Sequence, residues 1–506
     1  MNQIDLAPRV VEGGFFRMRS LGPPPPAPYV WRPDAGASRR FLGAYRNSGA
    51  PIRDALVDAI RAARRRVFAA SFMLGDERLI EEFIAAADRL HGGVYVITAL
   101  DERSLRKGLA EYEPTEQEAP EERQKNFERL TSAGVYVRGH ESCHAKFAVI
   151  DDHTAMVGSA NFVTKGFEWT DEANVLLKDA PGVRQLARLF TELWFEGCTW
   201  EVPPGQTYVV AQRAPETPPV RPDWPTGDPG DVVWTDGGEK SPLLDAIHDT
   251  IRAARRRLTL STYSIVGMRE NPALLLDPVR EAVGRGVAVR LFVRQRNAFP
   301  DQMDDLIALH DVGVEIHADT RNHVKVAIAD ERLAVVFSAN FHAYQGLRGS
   351  VEAGVRIDDQ ETIHELRRYM DHAIEHAETQ FVRNPTHAQL NGSLAARWCA
   401  TWPWDREVRI ACSAREARLF ADAANRGPVL YEAHQGKLVL YAADCEFEIE
   451  TRSEGWTGKV AKSAGDMTAA ARLDKWLRSV RDRPESQPAE SRGFCAAKLV
   501  LEDYSF

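Results

Sequence analysis

The feature that most constrains this chain is that it carries one unit twice. The segment DALVDAIRAARRRVFAASFML (residues 54–74) matches DAIHDTIRAARRRLTLSTYSI (residues 245–265), so two copies of one supersecondary pattern must fold within a single molecule. In the first half of each copy the apolar residues recur at helical spacing, as Leu56, Ile60 and Ala63 do; after the Arg cluster the pattern turns β-branched and alternating. Each copy therefore reads as helix then strand. A helical stretch and a second apolar strand follow (residues 94–100 and 287–293), then a further helix and strand (residues 135–138 and 314–317). This alternation predicts α/β sandwich lobes whose sheets are covered by helices.

The repeat divides the 506 residues into an N-terminal extension (1–40), a first lobe (41–200), a connector (201–238), a second lobe (239–380) and a C-terminal part (381–506). The connector is rich in Pro and Gly, as in PETPPVRPDWPTGDPGD, and reads as a semi-rigid spacer. The PPPPAP run at residues 23–28 reads as an extended linker in preference to a ligand for a proline-binding partner. Beyond the second copy, strand-like runs at residues 408–412, 429–433, 437–441 and 445–450 precede a helix near 467–481. They predict a small α+β accessory domain.

The chemistry sits in a second matched pair of strings. The first copy reads His144-Ala-Lys146-Phe-Ala-Val-Ile-Asp151, followed by Gly158-Ser159-Ala-Asn161; the second reads His323-Val-Lys325-Val-Ala-Ile-Ala-Asp330, followed by Ser338-Ala-Asn340. Strand alternation puts His and Lys of each copy on one face. The turn-like clusters at Asp151-Asp-His-Thr and Asp330-Glu-Arg predict hairpins centred on residues 152 and 331, which return Asn161 beside His144 and Asn340 beside His323. Seven extended residues span about 23 Å, so Asp151 and Asp330 cannot reach the His of their own motifs and are expected to fix turns or form salt bridges. An imidazole that does chemistry needs an acceptor on its second nitrogen. Glu172 and Glu352, which open the matched strings Glu172-Ala-Asn-Val and Glu352-Ala-Gly-Val, are the candidates.

These residues resemble the phospholipase D superfamily, whose signature is H-x-K-x4-D with a following G-S-x-N, present twice in its bilobal members. One such motif is a weak signal; two inside a repeat, with equal His-to-Asn spacing, are specific. The resemblance spans residues 40–380. It implies two pseudo-symmetric lobes sharing one active-site cleft, and a phosphodiesterase that needs neither metal nor cofactor. One His attacks phosphorus to give a phosphohistidine, and the other protonates the leaving oxygen and then activates water. Lys146, Lys325, Asn161 and Asn340 would hold the non-bridging oxygens, with Ser159 and Ser338 as weaker candidates for that duty. One position departs from the pattern. Phe337 stands where the family has the glycine of G-S-x-N, which puts the turn there and the room beside His323 in question.

Composition narrows the substrate only by exclusion. A net charge of −9 argues against a broadly basic nucleic-acid binder, so any phosphate site must be focused. Six cysteines without C-x-x-C pairs give neither a zinc knuckle nor a disulfide framework and read as reduced core thiols. Without a leader-like start or a membrane-length apolar run, a cytoplasmic protein is expected. That leaves nucleic acid as the first choice of substrate and a phospholipid as the alternative, with a phosphate-binding scaffold as the non-enzymatic reading.

No P-loop is present, so processive action on nucleic acid would need a separate motor or targeting protein, as in a defence or repair system. The runs Arg64–Arg66 and Arg255–Arg257 either line a phosphate track or end their helices. The acidic stretch at residues 108–125 is a solvated loop or a repelling flap, and Trp398, Trp402, Trp404, Trp456 and Trp476 are core residues or a stacking surface.

Overall fold

The computed structural model describes residues 2–19, 28–32, 38–46, 48–99, 120–202, 211–212, 230–236, 241–297, 299–393, 408–434, 437–452, 455–462, 468–481, 492–495 and 498–503. The chain forms two compact units: residues 28–293 with 321–373, and residues 1–27 with 294–320 and 374–506.

The first of these units holds the first copy of the repeat and the motif-bearing part of the second, whose residues 294–320 fall in the other unit. In the first copy, nine strands lie in the order Ala211–Gln212, Trp200–Val202, Tyr136–His140, Val94–Ala99, Val67–Ser71, Phe147–Ile150, Thr154–Gly158, Glu172–Leu177, Arg39–Ala44. The three strands from Tyr136–His140 to Val67–Ser71 run parallel, each reached through a helix; the rest pair antiparallel. The second copy repeats the centre of that order, with Ala288–Arg294 and Arg257–Thr262 parallel. Val326–Ala329, Leu333–Phe337, Val351–Ile357 and Val232–Asp236 then follow antiparallel. The covering helices Pro51–Ala62 and Pro242–Ala253 bury Ile52, Leu56, Val57 and Ile60 in one copy and Leu243, Ile247 and Ile251 in the other. Burial of this kind, at about 25 cal/mol per Å² of apolar surface, holds each helix on its sheet. Around Phe83, Phe127, Phe162 and Phe167 the first copy builds one continuous core.

The two copies touch along a pseudo-two-fold. Cys143 bridges Val351 and Asp171 bridges Asn322. His144 N–H donates to Val351 O at 2.9 Å, and His323 N–H donates to Asp171 O at 3.0 Å. Each motif histidine is thus tied by its own backbone to the opposite copy.

The other unit is built on an eight-stranded sheet in the order Asn2–Asp5, Lys498–Asp503, Val408–Cys412, Gly455–Lys462, Cys445–Arg452, Lys437–Ala442, Val429–His434, Arg492–Phe494. The opening residues, read from the sequence as an extension, supply its edge strand. They also supply Gly14–Met18, which pairs antiparallel with Thr379–Arg383. Trp476 is buried in this unit with Leu473 and Leu430. Trp398, Trp402 and Trp404, the prolines at 23–26, residues 108–119 and most of the 201–238 connector lie outside the described residues. Cys143, Cys198, Cys412 and Cys495 are buried thiols and Cys445 is partly exposed; Cys399 lies outside the described residues. Among the described residues no helix is long and apolar enough to cross a membrane.

Candidate active site

The two hairpins carry the motifs. Phe147 pairs with Val157 and Ile150 with Thr154, a register centred on residue 152; Val326 pairs with Val336, which centres the second hairpin on 331. Regular pairing starts only at Phe147 and Val326, so His144, Lys146, His323 and Lys325 sit on extended segments just ahead of the ladder.

Asp151 and Asp330 close these hairpins from the turn. Both adopt a left-handed backbone, with φ of 53° and 52°. The Asp151 carboxylate accepts the backbone N–H groups of Arg64, Arg65 and Arg66 at 2.8, 2.8 and 3.0 Å. Asp330 does the same for Arg255, Arg256 and Arg257 at 2.9, 2.9 and 2.8 Å. Burial pushes each carboxyl's pKa up, but these three amides outweigh it and hold both below the usual carboxylate range. The Arg runs therefore do a local job. Their backbones clasp the aspartates, and the side chains of Arg65 and Arg66 pair with Asp152 while Arg257 pairs with Glu331.

The orienting carboxylates are crossed between copies. His144 Nδ1 donates to Glu352 Oε1 at 2.8 Å, and His323 Nδ1 donates to Glu172 Oε1 at 2.7 Å. A proton held on Nδ1 by a carboxylate leaves Nε2 of each ring as the atom available for chemistry. The two glutamates are themselves braced. Ser159 Oγ donates to Glu172 Oε2 and accepts Ala173 N–H at 2.9 Å; Ser338 Oγ donates to Glu352 Oε2 and accepts Ala353 N–H at 3.0 Å. The serines, expected as phosphate ligands, spend their hydroxyl protons on the carboxylates instead and act one step behind the histidines. Glu172 has an additional donor in Thr170 Oγ1, at 2.8 Å.

Lys146 and Lys325 are fully buried, and each ammonium donates to the carbonyl of its own motif histidine. Aromatic rings cover both pairs. Phe72 lies 5.1 Å from the His144 ring and Tyr263 lies 5.1 Å from the His323 ring, with each lysine Nζ 5.6 Å from the same aromatic. These two were not singled out from sequence, although they occupy the same column of the repeat that defined the lobes. The carboxamide oxygens of Asn161 and Asn340 are buried and meet no donor. Turned end for end, the same amides present N–H groups, which is what a phosphate oxygen accepts.

A small pocket lies over His323, lined by Met73, Asn161, Val163, Lys165, Gly166, Thr170 and Glu172. Burial lowers the His144 pKa, with Lys146 and Lys325 adding to the shift and Glu352 opposing it, so its imidazole is held neutral. Burial pushes the Glu172 carboxyl up to about 7 against the pull of Lys325, Ser159, Thr170 and Lys146. Among the described residues no cluster of three His, Cys, Asp or Glu side chains could hold a metal ion.

The family described as "Cardiolipin synthase, PLD-like domain" matches this chain twice, over residues 56–194 and 247–374, which together exceed half its length. The chain belongs to the phospholipase D superfamily. It is a phospholipase D-type phosphodiesterase, with one such domain in each copy of the repeat. No curated protein matches the sequence.

Among solved structures, a phosphatidylserine synthase from Haemophilus influenzae Rd KW20 aligns at 15% identity, covering 69% of this chain and 88% of that one, with a TM-score of 0.49. A polyphosphate kinase from Porphyromonas gingivalis aligns at 15% identity over 67% of this chain and 50% of that one, with a TM-score of 0.43. Nuc from Salmonella typhimurium, a phospholipase D family member, aligns at 18% identity over 33% of this chain and 99% of its own, with a TM-score of 0.26.

The departure from the phospholipase D pattern at Phe337 has a local solution. In the first copy Gly158 faces Asn174 across the ladder, and a Cβ on Gly158 would come within 2.6 Å of that residue. In the second copy Phe337 faces Gly354, where a Cβ would come within 2.8 Å of the Phe337 Cβ. Glycine and side chain have exchanged strands. Gly158 is not among the residues with positive φ, so no glycine-only conformation is needed there, and the buried Phe337 ring packs 5.9 Å from Phe341.

Proposed function

We propose that this protein hydrolyses phosphodiester bonds of nucleic acid through a phosphohistidine, with His144 as nucleophile and His323 as acid and base. The observation that carries the chemistry is the pair of crossed His–Glu contacts, which fixes both imidazoles with Nε2 available. His144 Nε2, neutral because its burial disfavours the cation, attacks phosphorus. As the P–N bond forms, the P–O bond to the leaving group breaks and that oxygen takes the proton from His323 Nε2. Water then gives a proton back to His323 while its oxygen attacks phosphorus, the P–N bond breaks, and both histidines return to their starting states. Lys146, Lys325, Asn161 and Asn340 stabilise the charge on the non-bridging oxygens.

The nucleic-acid reading is supported by the pocket over His323, whose polar lining of Asn161, Lys165, Thr170 and Glu172 outnumbers Met73 and Val163. That lining suits a phosphate and its sugar better than an acyl chain. Transfer or hydrolysis of a phosphatidyl group is the second reading, and the description of the matching family favours it.

The deciding experiment offers single- and double-stranded DNA, RNA and phosphatidyl lipids side by side in excess EDTA, to wild type, His144→Ala and His323→Ala. Cleavage of nucleic acid alone, lost in both variants, is the expected result. Turnover of lipid alone would transfer the same mechanism to the second reading, and cleavage that EDTA abolishes would sink the two-histidine chemistry.

A further inference from the structure

The two halves of the site match in their histidines, lysines and asparagines but not in what flanks them. Counting back from Glu172 and Glu352 brings Gly166 onto Gly346. Both glycines abut the carbonyl of their asparagine: a Cβ there would lie 2.5 Å from Asn161 O or 2.2 Å from Asn340 O. In this register Trp169 corresponds to Gly349 and Lys165 to Gln345. Counting back from the histidines, Arg321 corresponds to Ser142.

Because the copies cross, these three unmatched residues gather on the His323 side. Asp171 N–H donates to Arg321 O at 3.1 Å and Asp171 O accepts His323 N–H at 3.0 Å, which carries Trp169 to within two residues of the histidine's backbone partner. The Arg321 guanidinium lies 5.8 Å from the Trp169 ring centre. Lys165 and Thr170, on either side of that tryptophan in sequence, line the pocket over His323. Trp169 is 46% exposed although Arg321 is only 8% exposed. The result is a solvent-facing indole backed by a nearly buried cation.

We propose that the Trp169–Arg321 pair stacks one base of a single-stranded nucleic acid whose scissile phosphate lies between His144 and His323. The strand is then gripped on the His323 side and enters with one polarity. This rests on the nuclease reading above and specifies its substrate as unpaired. A base stacks on an indole whatever its identity, and the adjoining phosphates gain from Lys165 and Arg321. An acyl chain would cover the indole but leave the Lys165 ammonium beside hydrocarbon, so a lipid fits the same surface less well.

The test uses the full chain and four substrates: a single-stranded oligonucleotide, the same strand with an abasic residue on one side of the cleaved bond, the strand with it on the other side, and bis(p-nitrophenyl) phosphate as a diester without bases. KM for each strand is divided by the same variant's KM for the small diester, for wild type, Trp169→Ala and Trp169→Phe. Trp169→Ala should raise the ratio for the intact strand about tenfold, within the range of base–aromatic stacking, and Trp169→Phe should restore most of it. An abasic residue on one side only should cost the wild type the same factor and cost Trp169→Ala little.

An unchanged ratio in Trp169→Ala, with wild type still cutting the strand, overturns the platform and leaves the nuclease reading intact. Hydrolysis of the small diester and of phosphatidylglycerol vesicles, with no cutting of any strand by wild type, overturns both. Should Trp169→Ala fail to fold, Trp169→Phe and the abasic strands on wild type decide. Equal cost of an abasic residue on both sides, or on neither, then counts against the proposal.

Discussion

His144 Nδ1–H donates a hydrogen bond to a carboxylate 208 positions further along the chain, Glu352, at 2.8 Å, and His323 Nδ1–H donates to Glu172 at 2.7 Å. Each half of the site is therefore incomplete without the other. Glu352→Ala should disable His144 and Glu172→Ala should disable His323, each lowering kcat by about 10²- to 10⁴-fold, as loss of an imidazole's orienting carboxylate does elsewhere. Trapping of the phosphohistidine by rapid quench separates them. Glu352→Ala should abolish the intermediate, whereas an intermediate that still forms at the wild-type rate would contradict the crossed assignment.

The His323–Glu172 pair sets the alkaline limb of the pH profile. Burial raises the Glu172 carboxyl to about 7, so the pair keeps a shared proton below that pH and gives it up above. The acid role of His323 needs that proton. Hence kcat/KM should fall with rising pH from about 7, by at most tenfold per pH unit for loss of a single proton. Glu172→Gln removes the anion that favours an imidazolium and should move the limb to lower pH. A limb unmoved by the substitution would assign it to another group.

Thr170 distinguishes the two carboxylates, since Glu172 receives its hydroxyl as well as that of Ser159. Thr170→Val should lower kcat about tenfold and shift the alkaline limb, because a buried charged acceptor loses a donor worth about 1.5–3 kcal/mol. Thr170→Ser should restore both. Equal behaviour of Val and Ser variants in the pH profile would reduce Thr170 to packing.

The exchange of side chain for glycine across the ladder predicts a strong coupling. Phe337→Gly leaves a cavity and should cost about 3–5 kcal/mol; Gly354→Asn drives a side chain into Phe337. The double variant recreates the Gly158–Asn174 arrangement of the first copy, and in urea unfolding it should be more stable than the sum of the single losses by about 1–3 kcal/mol. Additive losses would show that the two positions do not share one space.

The turn aspartates are stability elements. Asp330→Ala deprives three backbone N–H groups of a charged acceptor and should destabilise the protein by about 3 kcal/mol, with Asp330→Asn intermediate. Because the Asp330 pKa is lowered on folding, its contribution is present above the unfolded value near 3.8 and fades as pH falls through the folded value. The stability gap between wild type and Asp330→Ala should therefore close in acid. A gap independent of pH would point to lost packing instead of lost charge.

Much of the fold was legible because the repeat doubled every local signal. The hairpin centres at 152 and 331 followed from turn chemistry and alternation alone, and so did the inability of Asp151 to reach His144. The crossing of Glu172 and Glu352 was not legible, since each follows its own histidine in sequence and only packing of the two copies decides which imidazole it meets. The partners of Ser159 and Ser338 were not legible for a related reason: a motif marks a residue as present, not which neighbour its hydroxyl meets. The strand Gly455–Lys462 gave no alternating signal, with glycines and lysines along it, and forms because Cys445–Arg452 offers it a full ladder. Trp169 carried no signal of its own; its interest comes from what Gly349 lacks.

Among the described residues the edge strand Asn2–Asp5 pairs with Lys498–Asp503, far along the chain. During synthesis its hydrogen-bonding groups wait for about 500 residues to follow, on the order of a minute at about 5–20 residues per second. Through that interval the motif-bearing hairpins can assemble while Asn2–Asp5 stays unpaired. A ribosome that stalls short of Lys498–Asp503 would release a protein that carries both motifs and a sticky, open-edged sheet, which quality control would recognise at Asn2–Asp5 as much as at the strand that never arrived.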